Sequence, residues 1–462
     1  MSGLAEIALA RGSNVSGSDL SDSAKLRELR KLGAIIHIGH KPSNIPEGVE
    51  LVVYTSAVNK SDNPELLAAR NRGLRTMRRA DFLGELTSAM NTIAVAGTHG
   101  KTTTTAMIAH ILLEAGLDPT VSIGASVKEL HGNNARSGSA TLAVVEADEY
   151  DRSFLALKPY IAVLTTLEPE HLDIYSDLAD LQDTFVQFAS AGNPQGLIVI
   201  NIDESALRSL LLRLNKKIVT FGLDSEQAKY RAKNIELDKL QSTADIYRGG
   251  ELAGVLRLQV PGRHNIANAL AAIATAESLA ISFEIARDAL STFVGAERRA
   301  QVIGEANGIL VIDDYAHHPT EVEATLSALK AGYSGRRILV AFQPHTYTRT
   351  RDFATDFGTV FAKYSDILYL AEVYPARERP IDGVSSMLIS TTAKTAGLKN
   401  IVYPCDLTTL PERIVRDARA GDIVITLGAG SITEQAPKIV KALTASIQKT
   451  VSPKKTHPLE KS

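Results

Sequence analysis

The chain has 462 residues, more than one core of ordinary size holds, and so points to about three domains of ~150 residues. Its formal net charge is -2, with 44% hydrophobic and 22% charged residues, a balance that leaves no field to gather nucleic acid or an anionic membrane. Cys405 is the single cysteine, which excludes an internal disulfide and a cysteine-based zinc site; with no apolar run of the ~18 residues a membrane helix needs, the expectation is a cytoplasmic protein working away from membranes.

Short apolar runs alternate with longer amphipathic stretches along the chain. Residues 15–17, 34–38 and 51–54 read as strands, with a helix over 22–32. The run 92–96 reads as a buried strand, and Gly97, Thr98, His99, Gly100 and Lys101 follow it without a gap before a helix over 103–115. Further strands are expected at 141–145, 161–165, 197–200 and 217–221, and residues 225–260 read as a β-rich insertion around Gly249 and Gly250. A helix over 266–279 precedes strands at 309–313, 338–342, 367–370 and 423–427, with a helix over 319–329 among them. Such alternation predicts an α/β protein of mostly parallel sheets covered by helices, with ligands beyond the carboxyl ends of the strands. Breaks near residues 90 and 295 divide it into 1–89, 90–295 and 296–450, with 451–462 as a flexible tail.

The turn after 92–96 carries the strongest chemical signal. Glycines let backbone amides face a polyphosphate, and the following helix N-terminus adds partial positive charge. Lys101 suits the β- and γ-phosphates, and the Thr102 hydroxyl suits magnesium. Glu146, Asp148, Glu149 and Asp151 cluster at the end of the 141–145 strand; Glu146, as the first residue out of that strand, is the best-placed metal ligand, and a solvated acidic turn is the plain alternative. His171 reads either as a ligand of a second metal or as a helix-capping residue.

Seven segments together resemble the Mur ligase family: GTHGKTTTT at 97–105, EADEYDRSFL at 146–155, EPEHLD at 168–173, PGRHNIAN at 261–268, DDYAHHPTE at 313–321, FQPHTYTRTRD at 342–352 and LGAGSI at 427–432. The resemblance runs from residue 1 to about residue 445. It implies three domains: an N-terminal Rossmann-like domain for a UDP-sugar, a central P-loop ATPase domain, and a C-terminal Rossmann-like domain. It implies ATP and Mg2+, with Gly97, Thr98, His99, Gly100, Lys101, Thr102 and Thr103 around the phosphates, and Thr102, Glu146 and His171 on magnesium. His264, Asn265 and Asn268 then fall on the nucleotide side, the asparagines suited to the adenine edge, while Arg299 approaches the γ-phosphate and Asp314 the ribose. Tyr315, His317, His345 and Arg349 fall to an amino-acid substrate, where a carboxylate wants a guanidinium fork, and Ser2, Asp19 and Ser56 to the UDP-sugar; His317 is the candidate base for the amine.

Within the family, the alanine-adding branch fits best. Residues 185–189 hold no lysine where other branches carry a carbamylated one, although Thr346 stands where some alanine-adding members have arginine. The implied reaction joins L-alanine to the lactyl carboxylate of UDP-N-acetylmuramate through an acyl phosphate in peptidoglycan precursor synthesis, by a monomer or weak homo-oligomer. Two alternatives stand beside it: attachment of a tripeptide to the same sugar, and an idle nucleotide-binding protein. The second is motivated by Met1-Ser2-Gly3, which matches the tail of the family's N-terminal glycine loop, so that the first strand and most of that loop are expected to be missing.

Overall fold

The computed structural model describes residues 1–56, 58–169 and 174–451. The chain divides into two compact units: one of residues 1–236, 243–259 and 264–296, the other of residues 237–242, 260–263 and 297 onward.

The first unit opens with a helix, Ser2–Ala10, and two separate pairs of parallel strands. β1 (Ser16–Asp19) lies beside β2 (Ile35–Ile38), and β3 (Leu51–Tyr54) beside β4 (Arg75–Arg78). These strands are only partly buried, and Ile35 and Ile38 of β2 face outward. The core of this region lies instead where Leu4 and Ile7 of the first helix join Leu83 and the apolar residues of the main sheet.

That sheet has ten strands. In chain order they are β5 (Asn91–Ala96), β6 (Thr120–Val127), β7 (Asn133–Arg136), β8 (Leu142–Glu146), β9 (Ile161–Leu164), β10 (Leu197–Asn201), β11 (Lys217–Gly222), β12 (Tyr230–Asp238), β13 (Gln241–Arg248) and β14 (Glu251–Leu258). Their spatial order is β14-β13-β12-β11-β10-β9-β5-β8-β6-β7. β5, β9 and β10 are continuous apolar runs because helices cover both faces of the sheet. β5 pairs in parallel with β9 on one side and β8 on the other. The chain therefore leaves β5 in both directions, and such a reversal of strand order opens a crevice at the carboxyl ends. The helix Lys101–Glu114 starts there; it is buried from Thr102 to Leu112 on every side, with His110 Nε2 2.9 Å from both the Ala289 carbonyl and the Thr292 hydroxyl.

The second unit holds a six-stranded sheet of β15 (Gln301–Ala306), β16 (Ile309–Asp314), β17 (Ile338–Phe342), β18 (Ile367–Leu370), β19 (Ile401–Val402) and β20 (Ile423–Leu427), in the order β15-β16-β20-β17-β18-β19. Only β15 is antiparallel to its neighbour. Its side chains alternate strictly between two cores, as the two-residue strand period demands. Leu310, Ile312, Val340, Phe342 and Ile425 pack under Val322, Leu326 and Phe361, whereas Val311, Leu339, Ala341 and Val424 pack against Leu410, Ile414 and Ile439.

Several expectations need correction. Residue 15 precedes β1, which runs on to Asp19. Glu146 is the last residue of β8, registered against Val95, and not the first residue beyond it. Asn133 and Asn134, a pair whose side chains favour turns, instead begin β7, because an antiparallel edge pair with β6 satisfies their backbone. Ser2 and Gly3, expected as the tail of a loop, form the first turn of a helix. Besides β7, the strands that went unread are β4, β6 and β15, all polar or glycine-containing, and the two-residue β19. Among the described residues no helix is long and apolar enough to cross a membrane.

Candidate functional site

Three loops converge at the carboxyl end of β5. The first is the turn Gly97 to Gly100. Gly97 sits at φ 146°, where an added Cβ would overlap the Thr165 hydroxyl. Gly100 sits at φ 81° as the N-cap of the next helix, and an added Cβ would lie 2.6 Å from Asn268 Oδ1. Both positions demand glycine on backbone and on space. The turn is fixed from β9: Thr98 N donates to Thr166 O at 3.1 Å, His99 N to Thr166 Oγ1 at 2.7 Å, and the Thr165 hydroxyl to His99 O at 2.5 Å. His99 Nε2 also lies 3.6 Å from Glu168 Oε2. Nearby, burial pushes the Glu204 carboxyl above its ordinary range, helped by the charge of Glu168 and opposed by His99.

The helix N-terminus beyond Gly100 brings Lys101 and Thr102 to the same place. Thr102 Oγ1 donates to Glu146 Oε1 at 3.0 Å, and the other Glu146 oxygen accepts from Gly124 N at 2.7 Å. Lys101 Nζ donates to Gly97 O at 2.6 Å and Thr98 O at 3.1 Å, and meets both Glu149 oxygens at 2.9 Å. Asn268 donates to Asn265 Oδ1 at 3.2 Å, and both asparagines are buried on the helix Arg263–Ser278. The two asparagines form a buried pair beside the loop. Thr103 is buried one residue further along, and His264 stands in the first turn of the Asn265 helix. His171 lies outside the described residues.

In the second unit the ends of β16, β17 and β20 carry a second cluster. Asp313 accepts from Arg298 Nε at 3.1 Å, Thr426 Oγ1 at 2.5 Å and Thr433 Oγ1 at 3.0 Å. Asp314 is fully buried and accepts from the amides of Ala300 and Ala316, both at 2.7 Å. Burial pushes its carboxyl up to about 6, against the pull of Arg299 and those two amides. Arg299 pairs with Glu321 at 3.6 Å and stacks over Tyr315 with 5.5 Å to the ring centroid. His317 Nδ1 lies 3.0 Å from Tyr315 O and 3.3 Å from Glu321, two acceptors that make Nδ1 the donor. The His317 and His345 rings are 5.6 Å apart, and Arg349 Nη1 is 3.3 Å from His345 Nδ1. Burial, then His317 and Arg349, push His345 down to about 4. Tyr315, His317, His345 and Arg349 thus lie together.

The remaining sugar-side candidates lie in the first 56 residues of the first unit. Asp19 ends β1, Ser56 lies in the turn after β3, and Ser2 starts the first helix. Sequence reasoning named Glu149 only as one of four clustered carboxylates, and missed Thr165, Thr166 and Tyr175 around the loop and Glu321 and Glu378 in the second unit. Glu378 caps the segment after His345, accepting from Tyr347 N at 2.6 Å and Thr348 N at 2.9 Å. No local pattern around Glu378 marks it, since its partners Tyr347 and Thr348 lie 31 and 30 positions earlier in the chain.

A buried strand, a glycine-bracketed turn and a helix opening on Lys-Thr, followed by a second, mostly parallel sheet, define an α/β protein with two helix-covered sheets. The chain belongs to the Mur ligase family. Its models match in chain order: the Mur ligase family catalytic domain over residues 1–90, the Mur ligase middle domain over 95–276, and the Mur ligase glutamate ligase domain over 298–430. The chain is 45% identical over 443 residues to a UDP-N-acetylmuramate–L-alanine ligase of Myxococcus xanthus, covering 96% of this chain and 93% of that protein. The fold is similar to the crystal structure of a UDP-N-acetylmuramate–alanine ligase from Thermotoga maritima, with TM-score 0.82 and 29% identity over 96% of this chain and 97% of that one. It is also similar to a murein peptide ligase from Psychrobacter arcticus, with TM-score 0.70 and 26% identity over 96% of each chain.

Proposed function

We propose that the chain is an ATP-dependent ligase joining L-alanine to the lactyl carboxylate of UDP-N-acetylmuramate, a cytoplasmic step of peptidoglycan precursor synthesis. The single observation that carries the ATP half is the Gly97 to Thr102 turn with Glu146 on Thr102. The alanine half rests on the likeness to alanine ligases along nearly the whole chain.

A carboxylate is a poor acyl donor, because its leaving group would be oxide. Attack of one lactyl oxygen on the γ-phosphorus of ATP gives an acyl phosphate and ADP. The amine of alanine then attacks the acyl carbon, phosphate leaves, and an amide remains. Backbone amides of the Gly97 turn and the helix N-terminus bind the phosphates, and Lys101 offsets charge as it moves to the leaving oxygen. The Thr102 hydroxyl and the Glu146 carboxylate, hard oxygen donors 3.0 Å apart, fit a divalent cation such as Mg2+. When bound, that ion supplies charge neutralisation on the phosphates. In the second unit Arg349 takes the carboxylate of alanine. His345, neutral near pH 7, packs beside it, and His317 Nε2 accepts the proton that the ammonium loses before attack. Ser2, Asp19 and Ser56 serve the UDP-sugar.

The test is phosphate release with ATP and UDP-N-acetylmuramate, offering L-alanine or the tripeptide L-alanyl-γ-D-glutamyl-meso-diaminopimelate. Alanine-dependent release is expected; release that depends only on the tripeptide transfers the reading to the murein-peptide branch.

A further inference from the structure

Lys101 does not wait with its ammonium open to a phosphate. An ammonium has three N–H donors. Gly97 O, Thr98 O and the Glu149 carboxylate supply three acceptors, at 2.6, 3.1 and 2.9 Å. The lysine is folded back on its own loop, and its charge is met by a carboxylate only 2% exposed. The two glutamates of the EADE segment divide the work: Glu146 takes Thr102, and Glu149, three residues on, takes Lys101.

Glu149 is held in place by more than its own segment. Its carbonyl accepts from the Tyr175 hydroxyl at 2.6 Å and from Arg152 N at 3.0 Å. The chain then turns through Asp151 and Arg152, both non-glycine residues in the left-handed region at φ 54° and 51°. Surroundings must over-determine such a conformation. Here Arg152 grips Asp180 through both carboxylate oxygens at 2.8 and 2.7 Å, donates to Thr184 at 2.8 Å, and lies over the Tyr175 ring.

We propose that Glu149 is a positioning residue that latches Lys101 in a rest state which an incoming nucleotide polyphosphate must displace. The inference rests on the reading of this loop as an ATP site. A phosphate can take a lysine proton only by evicting one of the three acceptors. The two carbonyls belong to the loop that cradles the phosphates, and Glu149 is the anionic one. Where the latched form predominates by about tenfold, apparent nucleotide affinity is lowered by the same factor.

Calorimetric titration of ADP, with and without magnesium, tests this. Glu149→Gln keeps the side-chain shape and removes the charge, and the ADP Kd is expected to tighten about tenfold. In a Lys101→Met background the same substitution is expected to change Kd little, because the carboxylate acts through the lysine. A purely structural role predicts weaker binding in Glu149→Gln. An unchanged or weaker Kd overturns the latch, as does full tightening without Lys101. Should Glu149→Gln fail to fold, Tyr175→Phe loosens Glu149 through its carbonyl and leaves both charges in place. It is expected to tighten ADP in the same direction and by less; no tightening overturns the latch. A wild-type chain that binds neither ADP nor ATP sinks the ATP reading itself, whereas wild-type binding without tightening in the variants sinks the latch alone.

Discussion

β8 in the first unit and β16 in the second both end in carboxylates, and the two ends have opposite characters. β8 ends at Glu146, whose oxygens touch one hydroxyl and one backbone amide at the mouth of the Gly97 turn. β16 ends at Asp313 and Asp314, both buried and each with several donors from its own unit. Glu146 keeps acceptor capacity for a ligand, whereas the Asp313 oxygens are spent on tying Arg298, β20 and the segment after it to β16. An acidic residue at the end of a parallel strand marks a crevice, but its donors decide whether it serves a ligand or the fold.

The sharpest way to break this contrast lies at the Gly97 turn. Lys101→Met is expected to lower kcat for alanine-dependent phosphate release by about 10²–10³, the usual cost of losing one charge-stabilising group. A loss below tenfold would place the phosphate site elsewhere. One step down in size, Glu146→Gln and Asp313→Ala test the two strand ends directly. Glu146→Gln is expected to leave the urea midpoint almost unmoved while phosphate release collapses. Asp313→Ala strips the partners from Arg298, Thr426 and Thr433 and is expected to cost about 3 kcal/mol of stability. Equal stability losses in the two variants would erase the distinction.

Much of this was readable from the residues alone, and the physical reason is burial. β5, β9, β10, β17 and β20 are covered on both faces, so they appear as unbroken apolar runs. β7, with the sequence Asn-Asn-Ala-Arg, is an edge strand, and its polar residues read as a turn. At the site, the Gly97 to Thr102 turn was legible because strand, glycines and Lys-Thr are contiguous. Glu149 was not, since four carboxylates in one short segment are equivalent on paper. The left-handed pair Asp151-Arg152 and the Tyr175 hydroxyl decide which of them meets the lysine. Thr165 and Thr166 escaped notice because they reach the turn across a strand pairing that only the fold creates.

The smallest effect concerns pH, and it follows from the second strand end. Asp314 has an ordinary value of 3.8 and a folded value of about 6, because burial penalises its charge. The native state therefore holds this proton more tightly than the unfolded chain does. Its stabilising contribution is complete below 3.8 and is lost as pH rises through about 6, by about 3 kcal/mol at most. His345 runs the other way. Burial, His317 and Arg349 lower it from 6.5 to about 4, with Glu378 opposing, so its contribution is complete above 6.5 and is lost as pH falls through about 4. His345 is only half-buried, and solvent trims its share. Between about pH 4 and 6.5 the two slopes oppose each other within one unit, and hydrogen-exchange protection of β16 and β17 is expected to vary little. His345→Gln removes one slope and leaves protection falling as pH rises; Asp314→Asn leaves it rising. If both variants keep the wild-type profile, neither group titrates as its burial requires, and the buried end of β16 is wetter than its hydrogen bonds indicate.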